Sequence, residues 1–262
     1  MYWQGGLHLE RLLQDGQVLA NETITPVVRR MVIHVPDIAR QVTPGQFVMV
    51  RPPEGRNFLR RPFSVSDTDS AAGDIILIYR IIGRGTAEMA DMRPGDIMSV
   101  EGPLGHGFAI PEGRALLVGG GVGIAPLIYL ARSCPVKPFV LIGGKNESEV
   151  FWTRFLEPYA EKVFVTTDDG SVGKKGFTID LMPEVLATEK VTAVSTCGPG
   201  IMMRGVAQLA REHGIPCEVS MESRMGCGIG VCLGCTFEGQ VSHHRRKVCA
   251  DGPVFPAEEV FG

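Results

Sequence analysis

The sequence lacks the features that define several large classes of protein. No apolar run approaches the roughly 20 residues that a membrane-spanning helix needs. Lys and Arg number 26 against 29 Asp and Glu, so no basic surface predicts a nucleic-acid partner. Residues 1–10 show no secretory signal, and we therefore expect a cytoplasmic protein. No Ser-His-Asp set, H-E-x-x-H motif or Walker loop is apparent, so the common hydrolase chemistries have no support.

What the sequence does have is glycine and a cluster of cysteines. The 262 residues suggest about two domains and are enough to bury hydrophobic cores. Four of the seven cysteines fall within 23 residues near the C-terminus, and many of the 33 glycines lie in loops that look functional. Clustered cysteines in a chain without a secretory signal favour metal binding over disulfides.

The cysteine spacing is C-x4-C-x2-C followed by a distant fourth cysteine, formed by Cys227, Cys232, Cys235 and Cys249. This is the plant-type pattern for a [2Fe–2S] cluster. The intervening glycines allow the backbone to wrap tightly and bring N–H groups close to the sulfurs. A structural zinc site is the alternative, because four cysteines also suit tetrahedral zinc. It is less favoured, because zinc sites usually pair two short C-x2-C-type knuckles and only one is present here.

Residues 16–110 contain short β-branched or apolar runs separated by turns, which predict a small antiparallel barrel. The predicted strands are residues 17–20, 27–35, 47–50, 63–65, 75–82 and 97–100. Gly85 and Thr86 open a short helix, whose first turn offers free N–H groups to a phosphate. An arginine on a neighbouring strand can bind the same pyrophosphate, and Phe63 and Tyr79 can pack on an aromatic ring system. On spacing alone, an ordinary barrel with a capped helix and two surface arginines is the favoured interpretation.

Residues 115–220 alternate between strands and helices, which predicts a parallel sheet covered by helices on both faces. Its first strand runs into a glycine-rich turn, where a pyrophosphate can sit on the helix N-terminus. The nucleotide-binding residues predicted here are Gly119, Gly120, Gly121 and Gly123, and a second turn contains Cys197, Gly198 and Pro199. Asp168 and Asp169 either face the ribose or cap a turn, so the choice between NAD and NADP stays open.

Arg61-Pro62-Phe63-Ser64 resembles the R-x-[YF]-[ST] flavin motif of the ferredoxin–NADP reductase superfamily. The resemblance implies an FAD site. Its residues would be Arg61, Pro62, Phe63, Ser64, Ile78, Tyr79, Arg80, Gly85 and Thr86. It also implies that the turn containing Cys197, Gly198 and Pro199 lies beside the nicotinamide, with Cys197 near the point of hydride transfer and therefore the candidate catalytic residue.

The tail from Glu222 to Phe255 closely resembles the electron-transfer subunits of two-subunit, NADH-dependent dihydroorotate dehydrogenases. This resemblance implies that Cys227, Cys232, Cys235 and Cys249 ligate the cluster. It also implies electron transfer between NAD and an FMN-containing catalytic subunit in pyrimidine biosynthesis, within a heterotetramer of two plus two. The implied fold is β plus α/β. It comprises a six-stranded antiparallel FAD-binding barrel over residues 1–110, a doubly wound parallel-sheet NAD-binding domain over residues 111–220, and a [2Fe–2S] tail over residues 221–262.

Two other functions remain open at this point. One is the NAD(P)H-oxidising subunit of a cytoplasmic hydrogenase or a bifurcating transhydrogenase, which shares the same domains and differs in its partner. The other is a non-catalytic, zinc-stapled binding module, which predicts a colourless protein. We further expect residues 243–247, with two histidines and three basic residues, to form a solvated loop, and we assign no role to residues 1–15.

Overall fold

The computed structural model describes residues 11–51 and 58–262, and most of the predicted extension at residues 1–15 lies outside them. The described residues form two seven-stranded sheets and a two-stranded hairpin. Among them, no helix combines the length and the apolar character needed to cross a membrane.

The first sheet is antiparallel and is built by the N-terminal part of the chain. Its strands are β1 (Leu12–Thr25), β2 (Val28–His34), β3 (Phe47–Arg51), β4 (Arg61–Ser64), β5 (Asp67–Asp69), β6 (Asp74–Arg80) and β7 (Ile97–Leu104), in the order β4-β3-β7-β1-β2-β6-β5. Two helices, α1 (Pro36–Ala39) and α2 (Arg84–Asp91), connect strands. Met31, Ile33, Ile75 and Leu77 are fully buried, because alternate residues of β2 and β6 face the same core.

The sheet closes on itself through the segment that joins β4 to β5. The N–H of Val65 donates to the carbonyl of Gln46 (3.0 Å), near β3, and the N–H of Ser66 donates to the carbonyl of Ile76 (2.8 Å) in β6. The chain therefore passes from one edge of the sheet to the other. Counted as one strand, residues 61–69 give the six-stranded antiparallel barrel that was predicted; the hydrogen-bonding pattern divides them into two.

The second sheet is formed by the middle of the chain and is covered by helices on both faces. Its parallel strands are β8 (Ala115–Gly120), β9 (Phe139–Gly144), β10 (Lys162–Thr167), β11 (Lys174–Lys175), β12 (Ala193–Cys197) and β13 (Cys217–Ser220). The helices between them are α3 (Ala125–Ser133), α4 (Thr153–Leu156), α5 (Thr178–Thr188) and α6 (Gly200–Glu212). Leu117 packs with α3 on one face of the sheet, whereas Leu116 and Val118 pack with α5 and α6 on the other. The predicted doubly wound sheet is confirmed.

The tail contributes to this sheet, which the sequence did not predict. It forms a hairpin of β14 (Thr236–Glu238) and β15 (Arg245–Lys247), then α7 (Val248–Asp251), β16 (Val254–Pro256) and α8 (Ala257–Phe261). Strand β16 pairs antiparallel with β13, so the sheet order is β11-β10-β9-β8-β12-β13-β16 and the sheet is not wholly parallel. The chain returns beside β13 because the preceding loop packs on the barrel, where the His106 N–H donates to the Gly252 carbonyl at 2.6 Å.

The barrel and the second sheet are joined through polar contacts from α3. The Tyr129 hydroxyl donates to the carbonyl of Val42 at 3.0 Å, and Arg132 forms an ion pair with Asp67 at 2.8 Å. These contacts hold the barrel against the N-terminal helix of the second sheet. The predicted nucleotide-binding residues lie at the carboxyl ends of β8 and β12 in the second sheet.

Candidate functional site

The two predicted phosphate-binding elements of the barrel lie against each other. A Cβ placed on Gly85 would be 2.7 Å from Cζ of Arg61, so the guanidinium packs directly on the first turn of α2. The N–H groups of a first helical turn have no partners within the helix. Together with the positive guanidinium, these N–H groups could hold a pyrophosphate.

Thr86 holds this turn in place. Its hydroxyl accepts hydrogen bonds from the N–H groups of Ile82 (2.9 Å) and Gly83 (3.1 Å) and donates to the carbonyl of Gly83 (2.9 Å). The hydroxyl therefore has its bonding capacity filled locally. We infer that Thr86 supports the phosphate site by shaping the backbone rather than by offering its own oxygen.

The expectation that the Tyr79 ring packs on a bound ring system is wrong. Tyr79 is 1% exposed, and its hydroxyl donates to Asn21 at 3.3 Å inside the barrel. Burial raises the pKa of Tyr79 to about 12. Alternation along β6 is the cause, because Tyr79 follows Ile75 and Leu77 on the inward face.

The other residues of these two strands differ in how accessible they are. Ile78 is buried and Arg80 is exposed, so Ile78, like Tyr79, can offer a ligand mainly backbone atoms. Phe63 packs edge-on against Tyr79 with ring centroids 5.6 Å apart. Together with Pro62 and Ser64, Phe63 is half-buried on β4, which pairs with β3. Of the two predicted aromatic residues, Phe63 alone retains a partly accessible ring.

A cleft of about 460 Å³ lies at the carboxyl edge of the second sheet. The predicted residues that line it are Gly120, Gly121, Gly123, Gly198 and Pro199. A Cβ on Gly123 would be 2.5 Å from the Cα of Gly198, so the two turns approach as closely as backbone allows. Gly119 does not line the cleft; it packs behind it against Ile124.

Cys197 ends β12 beside this cleft and is 2% exposed. Burial raises the pKa of the Cys197 thiol, and the nearby Glu222 carboxylate raises it further. The thiol is therefore neutral at physiological pH, which does not favour a role as a nucleophile.

Glu222 and the C-terminal helix also line the cleft, and the sequence analysis did not place them there. Glu222 keeps part of its surface open to solvent, while desolvation by the surrounding protein raises the pKa of its carboxyl. Val260 and Phe261 of α8 form the adjoining wall. These residues reach the cleft only because β16 pairs with β13, a long-range contact with no local sequence signal.

The four clustered cysteines converge in two pairs. The Cys227 sulfur accepts hydrogen bonds from the N–H groups of Ile229 and Cys232 (both 3.4 Å) and interacts with the Cys232 thiol. The Cys249 thiol interacts with that of Cys235, and the Cys249 N–H donates to the Cys235 sulfur at 3.4 Å. In the described residues no group of three or more His, Cys, Asp or Glu is gathered around one metal position. Two pairs are the arrangement that a cluster of two irons requires.

The environment of these sulfurs differs between the pairs. Burial opposes ionisation of Cys227, but hydrogen bonds from the Cys232 and Ile229 N–H groups outweigh it and lower the pKa of Cys227 to about 6. Burial, and then the neighbouring Cys235 sulfur, raise the pKa of Cys249 to about 12. Two neighbouring thiolates repel each other, and a bound metal would offset this repulsion with its positive charge. Thiols that bind a metal are accordingly deprotonated.

Glycines make room for the sulfurs. A Cβ on Gly226 would be 3.3 Å from the Cys232 sulfur and one on Gly234 would be 3.5 Å away. Gly228 and Gly230 have φ of 72° and 84°, which side chains disfavour. The Gly230 N–H donates to the Cys249 sulfur at 3.1 Å. The loop therefore fits a thiolate-ligated iron–sulfur cluster, with N–H groups aimed at the ligands.

An antiparallel barrel followed by a doubly wound sheet with a cleft at its carboxyl edge defines a ferredoxin-reductase-like flavoprotein. Structural comparison agrees. The chain is similar to an NADH-dependent reduced ferredoxin–NADP oxidoreductase studied for flavin-based electron bifurcation, with a TM-score of 0.84, 31% identity, and coverage of 98% of this chain and 91% of the other. A ferredoxin NADP⁺ reductase from Neisseria gonorrhoeae shares the fold, with a TM-score of 0.62 and 18% identity over 77% of this chain and 92% of the other.

Sequence comparison identifies the family. Residues 15–108 match the oxidoreductase FAD-binding domain, and residues 222–261 match the iron–sulfur cluster binding domain of dihydroorotate dehydrogenase B. The electron transfer subunit of dihydroorotate dehydrogenase B (NAD(+)) from Desulforamulus reducens is 38% identical over 94% of this chain and 97% of its own length. That of Caldanaerobacter subterraneus is 39% identical over 96% and 99%. The chain belongs to the family of dihydroorotate dehydrogenase B electron transfer subunits.

These matches confirm the predicted family, the FAD-binding barrel and the iron–sulfur domain. They favour the iron–sulfur interpretation of the cysteines over the zinc alternative. The individual ligand assignments, for FAD, nucleotide and cluster alike, stay predictions, as do the domain boundaries at residues 110 and 220.

Proposed function

We propose that this chain transfers electrons between NAD(H), FAD and a [2Fe–2S] cluster, to or from an FMN-containing dihydroorotate dehydrogenase catalytic subunit in UMP biosynthesis. The observation that carries the proposal is the convergence of four cysteine sulfurs in one chain with a phosphate site and a nucleotide cleft. NADH supplies two electrons together as hydride, whereas a [2Fe–2S] cluster accepts one electron at a time. FAD can exchange electrons either singly or in pairs, so it can connect the two.

The residues of the chain act by binding and positioning. Arg61 and the first turn of α2 would hold the FAD pyrophosphate, with Gly85 allowing the close approach of the guanidinium to the helix. The turns at Gly123 and Gly198 would admit the nicotinamide nucleotide, and the neutral Cys197 thiol at the end of β12 would lie near the reacting ring. Hydride transfer to a flavin needs no acid–base pair.

One proposed cluster ligand, Cys232, lies at the surface that we assign to the partner. Cys232 is exposed, and its neighbours Val231 and Leu233 are 73% and 50% exposed. Apolar side chains around an exposed ligand suit a protein interface more than open solvent. We propose a heterotetramer of two such chains and two catalytic subunits in the cytoplasm, where cysteines are kept reduced; none of the seven cysteines forms a disulfide.

The domains of the proposal are an FAD-binding barrel over residues 1–110, an NAD-binding domain over residues 111–220 and a cluster-binding tail over residues 221–262. The two matched domain families, over residues 15–108 and 222–261, fall within the first and third of these. The cleft at the carboxyl edge of the second sheet supports the middle one.

A second candidate is the NAD(P)H-oxidising subunit of a bifurcating transhydrogenase. The similarity to the bifurcating oxidoreductase favours it, since that structure is 31% identical and is matched along 98% of this chain. The curated relatives named above are 38% and 39% identical, which favours the dihydroorotate dehydrogenase assignment. The two candidates share the cofactor chemistry of this chain and differ in the partner.

Anaerobic purification with a visible absorption spectrum and cofactor extraction tests the proposal. We expect flavin bands with a broad iron–sulfur envelope, bleached by NADH, and no turnover of dihydroorotate by the isolated chain. A colourless protein would refute both candidates and support a zinc-stapled module. Co-purification with an FMN enzyme that oxidises dihydroorotate supports the first candidate, whereas a partner inactive toward dihydroorotate supports the second.

A further inference from the structure

The hairpin of β14 and β15 determines where two of the four cysteines lie relative to each other. Cys235 immediately precedes β14, and Cys249 follows β15 by two residues. At the base of the hairpin the Val248 N–H donates to the carbonyl of Cys235 (3.0 Å), and the Cys249 N–H donates to the Cys235 sulfur (3.4 Å). A slip of one residue in the pairing would turn side chains to the opposite face and separate the two sulfurs.

This hairpin is too short to fix its own register. Each strand has three residues, paired as Thr236 with Lys247, Phe237 with Arg246, and Glu238 with Arg245. An isolated two-stranded hairpin is at best marginally stable in water. Its register therefore depends on contacts made outside the strands.

Glu259 of α8 supplies those contacts at the far end of the hairpin. One carboxylate oxygen accepts a hydrogen bond from the Ser242 N–H at 3.0 Å, and the other accepts one from the Ser242 hydroxyl. Arg246 lies 3.4 Å from the same carboxylate, and the Gln240 N–H donates to the Glu259 carbonyl at 2.9 Å. The predicted solvated loop at residues 243–247 is thus partly wrong, because Arg246 is drawn inward by this carboxylate.

Glu259 is the only charged side chain that is buried in residues 11–51 and 58–262, at 7% exposure. The hairpin turn approaches it closely, since a Cβ on Gly239 would be 3.0 Å from the carboxyl carbon. A buried carboxylate is costly unless it is hydrogen-bonded and paired. Such a group holds its partners in one arrangement, because any other arrangement leaves the charge unsatisfied.

We propose that Glu259 is a positioning residue for the cluster: it fixes the register of the β14–β15 hairpin and so holds Cys235 beside Cys249. The role in the cluster rests on the function proposed above. Glu259 does not need to contact the cluster. It is hydrogen-bonded to the turn of the hairpin, whereas the cysteines lie at the opposite end, at the base of the two strands.

The test compares Glu259→Ala and the milder Glu259→Gln with a matched control, Glu258→Ala. Glu258 is the exposed neighbour on the same helix, so the control removes the same charge. Hydrogen exchange of peptides covering residues 236–247 and the rate of iron loss to a chelator are measured on the purified holoprotein. Losing hydrogen bonds to a charged group predicts roughly 10- to 100-fold faster hairpin exchange in Glu259→Ala, with several-fold faster iron loss.

We expect Glu259→Gln to lie between Glu259→Ala and wild type, and Glu258→Ala to stay within about twofold of wild type. Unchanged hairpin exchange and iron loss in an iron-loaded Glu259→Ala or Glu259→Gln protein would overturn the role of Glu259 alone. Equal effects of Glu258→Ala would also overturn it. A wild-type chain that carries no iron would instead refute the proposed function.

Discussion

The FAD-binding barrel and the cluster loop achieve order by different means. The barrel packs Met31 and Ile33 of β2 with Leu77 of β6 in one core, so its shape does not depend on a cofactor. Between β13 and β14 the chain has no helix or strand, and residues 226–235 are organised around cysteine sulfurs and glycines. The comparison implies that removing a cluster ligand disorders the tail locally, whereas the barrel tolerates loss of its ligand contacts.

The largest effect is expected from Cys232→Ser. Replacing one of four ligands removes a thiolate that the irons need, so we expect near-complete loss of bound iron and sulfide. FAD content and NADH-to-dye activity should stay near wild type, because the barrel and the cleft lie outside the loop. Iron analysis, the absorption spectrum and dye reduction measure these outcomes.

Cys134→Ser is the matched control, since Cys134 is a half-buried free thiol just after α3. Its iron content should equal that of wild type. If Cys232→Ser loses FAD together with iron, the barrel and the tail are not independent, and the comparison between them fails.

A smaller effect is expected from Arg61→Ala. The loss of a charge-assisted contact to phosphate corresponds to about 1.5–3 kcal/mol, or roughly a 10- to 100-fold weaker FAD affinity. The barrel should remain folded. FAD dissociation constants from fluorescence titration, with circular dichroism as the check on folding, test this expectation.

Two glycine substitutions sharpen the same point. Gly85→Ala places a Cβ against the Arg61 guanidinium and should also weaken FAD binding, whereas Gly83→Ala points into open space on extended backbone and should change it less than twofold. Equal affinities for both variants would argue against a phosphate site at this junction.

The smallest effect is expected from Gly123→Ala in the nucleotide cleft. Its Cβ would lie 2.5 Å from the Cα of Gly198, so the two turns must move apart. Overpacking of this kind costs about 1–3 kcal/mol. We expect a several-fold rise in KM for NADH with unchanged FAD and iron contents; an unchanged KM would show that the two turns do not form the nucleotide site.

Features with a fixed local spacing could be predicted from the sequence. The cysteine pattern, the glycine-rich turn after β8 and the strand–helix alternation each depend on neighbouring residues, and the last two correspond to observed elements. Helix α5 was not predicted, because Pro183 lies inside it and proline usually ends a helix. Tyr79 was assigned to a ligand although alternation along β6 turns its ring inward.

Long-range features could not be predicted. The position of Glu222 and Phe261 in the cleft follows from the pairing of β16 with β13. This pairing joins Ser220 to Val254 and Val219 to Phe255, which are 34 and 36 positions apart in the sequence. No periodicity in either strand specifies this partner. Likewise, Glu259 lies in the five-residue helix α8, and its carboxylate finds its partners in a hairpin that is distant in the sequence.

The pairing of β16 with β13 also has a consequence for dissecting the molecule. A fragment cut after residue 220 would leave β13 as an open sheet edge, with unpaired backbone groups available to any other extended chain. Such a fragment should self-associate at concentrations where the intact chain does not. The segment that carries the cysteines therefore also covers the edge of the second sheet at β13 and prevents its aggregation. It cannot be deleted without exposing that edge.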